Sequence, residues 1–108
     1  MESLRSKYRR PTHPGEILRE MVLPELGITQ GEFARRLKVS RRTVNELVNE
    51  HRPVTPDMAV RLARLIGGTA GTWLKMQQAV DLWEIDHGNT KKYAGIKKMS
   101  LPKEYKVG

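Results

Sequence analysis

The sequence contains no cysteine. That excludes disulfide bridges and thiolate metal sites, and it fits a reducing compartment. Apolar runs never exceed a few residues, so no segment is expected to span a membrane. Residues 1–11 are charged and lack the apolar stretch of a secretory signal, so the expected location is the cytoplasm. Aromatic residues are scarce, with two Trp, three Tyr and one Phe. They are too few for a platform that stacks single-stranded bases. His13, His51 and His87 have neither i,i+4 spacing nor companion cysteines, so no metal site is expected. Ser40 and His51 share a region, but no acid is evident to orient the histidine, so a nucleophilic triad is not supported. Neither an enzyme nor a cofactor is expected. Alternating strand patterns, internal repeats and low-complexity tracts are also missing.

An excess of either charge is missing from the middle of the chain. The net charge is +8, with 20 Lys and Arg against 12 Asp and Glu over 108 residues. Residues 1–13 contribute +3, residues 14–86 nothing, and residues 87–108 contribute +5. The basic excess therefore sits in two tails. They are either solvated ends that aid solubility or arms that add phosphate contacts. Within the neutral body, residues 35–52 carry a local +4, whereas Asp81, Glu84 and Asp86 stand together without a base. One stretch is suited to anions and another is not.

What is present is helical periodicity. Pro14 suits a first helical position, where its missing N–H costs nothing. Ile17, Leu18, Met21 and Val22 then give one apolar face, which Pro24 and Gly27 are expected to end. Thr29 with Glu32 three residues later reads as a capping box, and Phe33, Ala34 and Leu37 form the buried face of a second helix. Ser40 is the N-cap of a third, with Val44, Leu47 and Val48 inward. Thr55 and Pro56 start a fourth, carrying Ala59, Leu62, Ala63 and Ile66, and Gly67 and Gly68 stop it. Thr69 caps a fifth, on which Trp73, Met76, Val80 and Trp83 share one stripe. Leu74, Leu82 and Ile85 lie off that stripe. They mark either a helix end covered by the C-terminal tail or, the reading adopted with Trp83 included, a homodimer contact. After His87 the pattern stops, with one short ordered piece expected near residues 93–99. The expected fold is all-α, a compact five-helix bundle with irregular basic tails. Its divisions are an N-terminal arm over 1–12, a helical domain over 13–87 and a tail over 88–108.

Very few residues, around Lys38 and Val39, join the second and third helices. Ala34 is small where the two would cross, and Val39, Val44 and Leu47 would fill the corner. This is the arrangement of a helix-turn-helix, which supports an outward-facing helix of a size that fits the major groove. Subtracting the buried aliphatics leaves Arg41, Arg42, Thr43, Asn45, Glu46 and Asn49 outside. Arg can grip guanine with two hydrogen bonds, Asn can do the same to adenine, and Glu can accept from cytosine. Arg41, Arg42, Thr43, Asn45 and Glu46 are therefore the expected base contacts. Arg35 and Arg36 form either a solvated face or further phosphate contacts.

Residues 29–66, from TQGEFARRLKVSRRTVNELVNE through MAVRLARLI, resemble the Cro/CI-type (XRE) helix-turn-helix family, which has the lambda-repressor-like fold. HPGEIL at 13–18, VTPDMAVRLARLIGG at 54–68 and WLKMQQAVDL at 73–82 are similar to its HigA branch of antitoxins. The resemblance spans about 13–87 and says little of either tail. It implies binding to double-stranded operator DNA, repression of the protein's own operon and neutralisation of a HigB-type mRNA-cleaving toxin. By position it makes Arg41, Arg42 and Glu46 the principal base readers, with Asn45 beside them. Gln30 takes the place of a phosphate-binding glutamine, and Asn49 and Arg52 match positions that touch the backbone. Ser40 is added to these phosphate contacts. Because such toxins are usually basic, Glu16, Glu20, Asp81, Glu84 and Asp86 are the expected toxin-binding residues. Lys38 stands where the family turn often has Gly, and a left-handed backbone there would cost roughly 1–2 kcal/mol. Two other readings remain open at this point: a stand-alone phage-type repressor, and an interaction module that no longer binds DNA.

Overall fold

The computed structural model describes residues 9–105. The arm residues before Arg9, and the last three of the tail, lie outside the described residues. Five helical rods form the bundle. The first, α1, covers 14–26 in three consecutive pieces: α-helical Pro14–Ile17, π-helical Leu18–Val22 and α-helical Leu23–Leu26. The others are α2 (Gln30–Leu37), α3 (Arg41–Val48), α4 (Pro56–Ile66) and α5 (Ala70–Asp86). Short 3-10 turns follow at Lys91–Tyr93 and Lys103–Tyr105, so the expected ordered piece lies slightly earlier than 93–99 and has a second companion.

Pro24 does not end α1, contrary to the expectation from sequence. Its ring has no N–H and would collide with the carbonyl four residues back in a regular helix. The π turn widens the backbone there, with Leu23 N–H donating to Leu18 O, and the rod continues until Gly27 takes a left-handed φ of 67°. The N-caps fall where the sequence places them. Thr29, Ser40, Thr55 and Thr69 each accept from the backbone N–H three residues on. The capping box at α2 is only half formed. Thr29 Oγ1 accepts from Glu32 N at 3.1 Å, but the Glu32 carboxylate turns outward to Arg35 and Arg36. Two guanidinium donors hold it more strongly than one backbone amide would.

Leu18, Phe33, Val44, Leu47, Ala59 and Leu62 are fully buried, and Leu37, Val48, Val54, Met58 and Trp73 complete one core. Each large aliphatic or aromatic side chain removed from water there contributes about 1.5–3 kcal/mol. The inner stripe of α5 is Trp73, Gln77 and Val80. Gln77 was not singled out by sequence because it is polar, yet its Oε1 accepts from Val54 N–H at 2.9 Å. That bond satisfies a buried amide of the α3–α4 connection. Leu74, expected at a dimer contact, is half-buried against the core instead, since its side of α5 faces the bundle.

Candidate nucleic-acid interface

α2 and α3 meet through a Schellman-type turn. Lys38 N–H donates to Arg35 O and Val39 N–H to Ala34 O, at 3.2 and 3.0 Å. This requires Lys38 to be left-handed, and its φ and ψ are 62° and 44°. The residue that replaces the usual glycine thus adopts glycine's conformation. Arg61 of α4 repairs part of the cost, donating from one Nη to Leu37 O at 2.9 Å and Lys38 O at 3.3 Å. The left-handed turn at Lys38 leaves the front of α3 aimed outward.

The rear of α3 ends the same way. Glu50 is left-handed with φ 63°, and His51 N–H reaches Glu46 O at 2.8 Å. No sequence rule marks a glutamate for that conformation. Two segments, the stretch before α1 and α1 itself, grip it. Arg10 donates to the Glu50 carboxylate at 2.9 Å, and Arg19 donates to it at 3.4 Å and to Val48 O at 2.6 Å. These donors hold the Glu50 carboxyl below its ordinary value, the Arg10 hydrogen bond being the largest cause. Gly15 of α1 sits so close that a Cβ there would lie 2.0 Å from Leu47 O. His13, buried, caps α1 by accepting from Gly15 N–H on Nδ1 at 2.9 Å.

The front of α3 is open. Arg41 and Arg42 are exposed, Arg42 with 85% of its side chain accessible. The Arg41 stem passes Gly31 at the start of α2. Asn45 is exposed and donates from Nδ2 to Gln30 Oε1 at 3.1 Å, so the structure joins two expected DNA contacts from different helices. Thr43 is half-buried, its hydroxyl 2.8 Å from that of Ser40. Ser40 Oγ also accepts from Thr43 N at 3.0 Å, which occupies it as a cap. Asn49 folds back, donating to Asn45 O at 2.9 Å.

Glu46 is placed differently from a free base acceptor. Arg42 Nε takes one oxygen at 3.0 Å, and an Nη of Arg52 takes the other at 2.7 Å. Arg52, then Arg42, holds its carboxyl below the ordinary range. The carboxylate thus ties a front arginine to one behind the helix. A guanidinium would have to leave before Glu46 could accept from a base.

The acids expected to form one toxin-facing patch are spread between α1 and α5 and are partly engaged. Glu20 pairs with Arg19, and Glu84 with Arg10 at 2.8 Å. Asp81 accepts from Gln77 at 2.9 Å, while Glu16 and Asp86 are exposed. Arg10, in the basic arm, clasps α3 to α5 through Glu50 and Glu84. At the end of α5, Leu82 and Ile85 are 55% and 46% exposed. Trp83 is half-buried and stacks on His87 with ring centroids 3.9 Å apart. Among the described residues, no helix is long and apolar enough to cross a membrane.

Residues 18–74 match the family model described as helix-turn-helix. The chain is 50% identical over 70 residues to virulence-associated protein I of Dichelobacter nodosus, a match spanning 65% of each chain. It is 40% identical over 81 residues to antitoxin HigA-1 of Vibrio cholerae, covering 75% of this chain and 76% of that one. Among solved structures, Pseudomonas aeruginosa antitoxin HigA with the higBA promoter superposes with a TM-score of 0.75 at 40% identity. That match covers 84% of this chain and all of the other. With an exposed helix mounted on a tight turn, and with relatives of this identity, the chain belongs to the helix-turn-helix family, in the branch that includes the HigA antitoxins.

Proposed function

We propose that this protein is a cytoplasmic, homodimeric antitoxin that represses its own promoter and neutralises an mRNA-cleaving toxin of the HigB type. One observation carries the DNA-binding part. The guanidinium-bearing front of α3 projects into solvent while its rear is anchored by α1 and the segment before it. Arg41 and Arg42 reach for guanine edges, and Asn45, steadied by Gln30, for adenine. Thr43 faces the groove floor. Gln30, Ser40, Asn49 and Arg52 meet phosphates. Two such helices about 34 Å apart would span successive major grooves of a palindromic operator. Affinity falls steeply with salt, because lysine and arginine release counterions from the duplex.

The antitoxin part is supported by the names of its relatives and by the acidic residues left unengaged, Glu16 and Asp86, beside the partly engaged Asp81. The test of DNA reading is a titration of promoter DNA by fluorescence anisotropy. Replacing both Arg41 and Arg42 by Ala should weaken specific binding about 100-fold or more, at about 1–3 kcal/mol for each lost bidentate contact. Thermal stability should be unchanged. Equal affinity in the double variant would refute the assignment. Undiminished capture of the neighbouring gene's product after Glu16→Lys and Asp86→Lys would remove the acidic surface from the toxin site.

A further inference from the structure

The tail leaves the bundle rather than covering it. Beyond the turn at Lys91–Tyr93 the chain has no regular structure until Lys103. Ile96, Met99 and Leu101 on this stretch are 74%, 85% and 53% exposed. The molecule measures 52 Å along its longest axis and has a radius of gyration of 17.5 Å. A compact domain of this length would have about 13 Å. Three large apolar side chains therefore project on an extended basic strand, which costs free energy unless something covers them.

A matching surface lies on the same protein. The last turns of α5 expose Leu82 and Ile85. Beside them is a groove of about 610 Å³, bounded by Asp81, Glu84 and Ile85 on the helix and by Lys92 and Tyr93 on the turn. The chain's own tail departs from this groove at Tyr93. The groove combines apolar wall with carboxylate, and the tail combines apolar side chains with Lys97, Lys98 and Lys103.

We propose that residues 96–101 of one copy lie in the α5 groove of a second copy, so that two tails are exchanged across the dimer. Ile96, Met99 and Leu101 cover Ile85, Leu82 and Tyr93, and the flanking lysines face Asp81 and Asp86. This rests on the homodimer proposed above and names what closes it. DNA is a poorer occupant for the tail, because phosphates engage its lysines but give Ile96, Met99 and Leu101 nothing to bury against. The other apolar cleft, between Leu26, Ile28, Leu65 and Ile66, is lined by Arg36 and no carboxylate, whereas the α5 groove sets Asp81 and Glu84 against its one Lys92.

The absence of native cysteine makes a clean test. Full-length Ile85→Cys and Met99→Cys chains are purified separately, reduced, mixed and mildly oxidised. A disulfide needs Cα atoms about 4.4–6.8 Å apart, so only a seated tail joins them efficiently. Light scattering on the native chain runs in parallel. The expected result is a dimer by scattering and a mixed disulfide in most of the sample, with at least tenfold less when Glu25→Cys replaces Ile85→Cys. A dimer with no mixed disulfide, or with equal yield from Glu25→Cys, overturns tail exchange and leaves the dimer standing. A monomer at every concentration overturns both.

Discussion

At its rear, α3 is gripped by Gly15, Arg19 and Arg10, and its last carbonyls and Glu50 have no freedom left. At its front, a serine cap holds the first turn and an exposed ion pair to Glu46 holds Arg42. Exposed pairs contribute at most about 1 kcal/mol each, so they orient side chains more than they stabilise the fold. The difference separates two jobs. Rigidity is concentrated where the rod meets the bundle, and adaptability is left where it would meet a nucleotide.

The rear can be broken most severely at Gly15. Gly15→Ala forces a methyl group against Leu47 O, and the backbone cannot yield as a side chain would. We expect a loss of about 3 kcal/mol, at the upper end of overpacking costs, read from urea denaturation. A cost below about 1 kcal/mol would show that α1 slides freely over α3. The two left-handed residues sharpen the comparison. Lys38→Gly should stabilise by about 0.5–1 kcal/mol, since relief of left-handed strain exceeds the entropy that glycine adds. Glu50→Gly relieves the same strain but releases Arg10 and Arg19, so it should destabilise. If Glu50→Gly raises the melting temperature as Lys38→Gly is expected to, the anchoring role of Glu50 is wrong; if Lys38→Gly lowers it, the strain at Lys38 is wrong.

The rear also carries a pH dependence near neutrality, through a histidine. Burial is the largest cause lowering the His13 pKa below 6.5, and Arg10 adds to it. Glu50, Glu84 and Asp81 oppose it. The folded protein thus favours the neutral ring, which the Nδ1 acceptor bond to Gly15 requires. Below about pH 6.5 the unfolded chain binds more protons. Stability is therefore full above that pH and declines as the pH falls toward the lowered native value. His13→Asn keeps a cap acceptor and should flatten the melting temperature between pH 7.5 and 5.5. A slope unchanged by the substitution would exclude His13 as its source.

A smaller effect than at Gly15 is expected at the front. Glu46→Ala removes a carboxylate from the DNA-facing side and frees Arg42 and Arg52. Binding to random duplex should tighten about threefold to tenfold, as one like charge near phosphates is lost. The ratio of promoter to random binding should shrink. A ratio that rises would make Glu46 an obstacle rather than a positioning residue.

Local chemistry made much of this legible before any coordinates. Caps at Thr29, Ser40, Thr55 and Thr69 accept nearby amides whatever the distant packing, so the starts of α2 to α5 were readable. The buried faces of α2 and α3 followed from spacing alone. Other features depended on partners far away in the chain. The left-handed Glu50 is tolerated because Arg10 and Arg19 meet there. Glu46 looked like a base reader because Arg52, six residues on, is not its neighbour on an ideal helix face. Nothing local marks Gln77 as buried; its place in the core depends on the Val54 amide that it accepts from. The clasp from Arg10 to Glu84 crosses 74 residues, beyond any local pattern.

The sequence by itself determined which segments are helical, which faces of α2 and α3 turn inward and that Arg41 and Arg42 stand outside, because those outcomes follow from periodicity and neighbouring hydrogen bonds. Only tertiary structure decided which polar groups are already spent on one another. Whether a carboxylate is free or clasped depends on donors that folding brings from elsewhere in the chain.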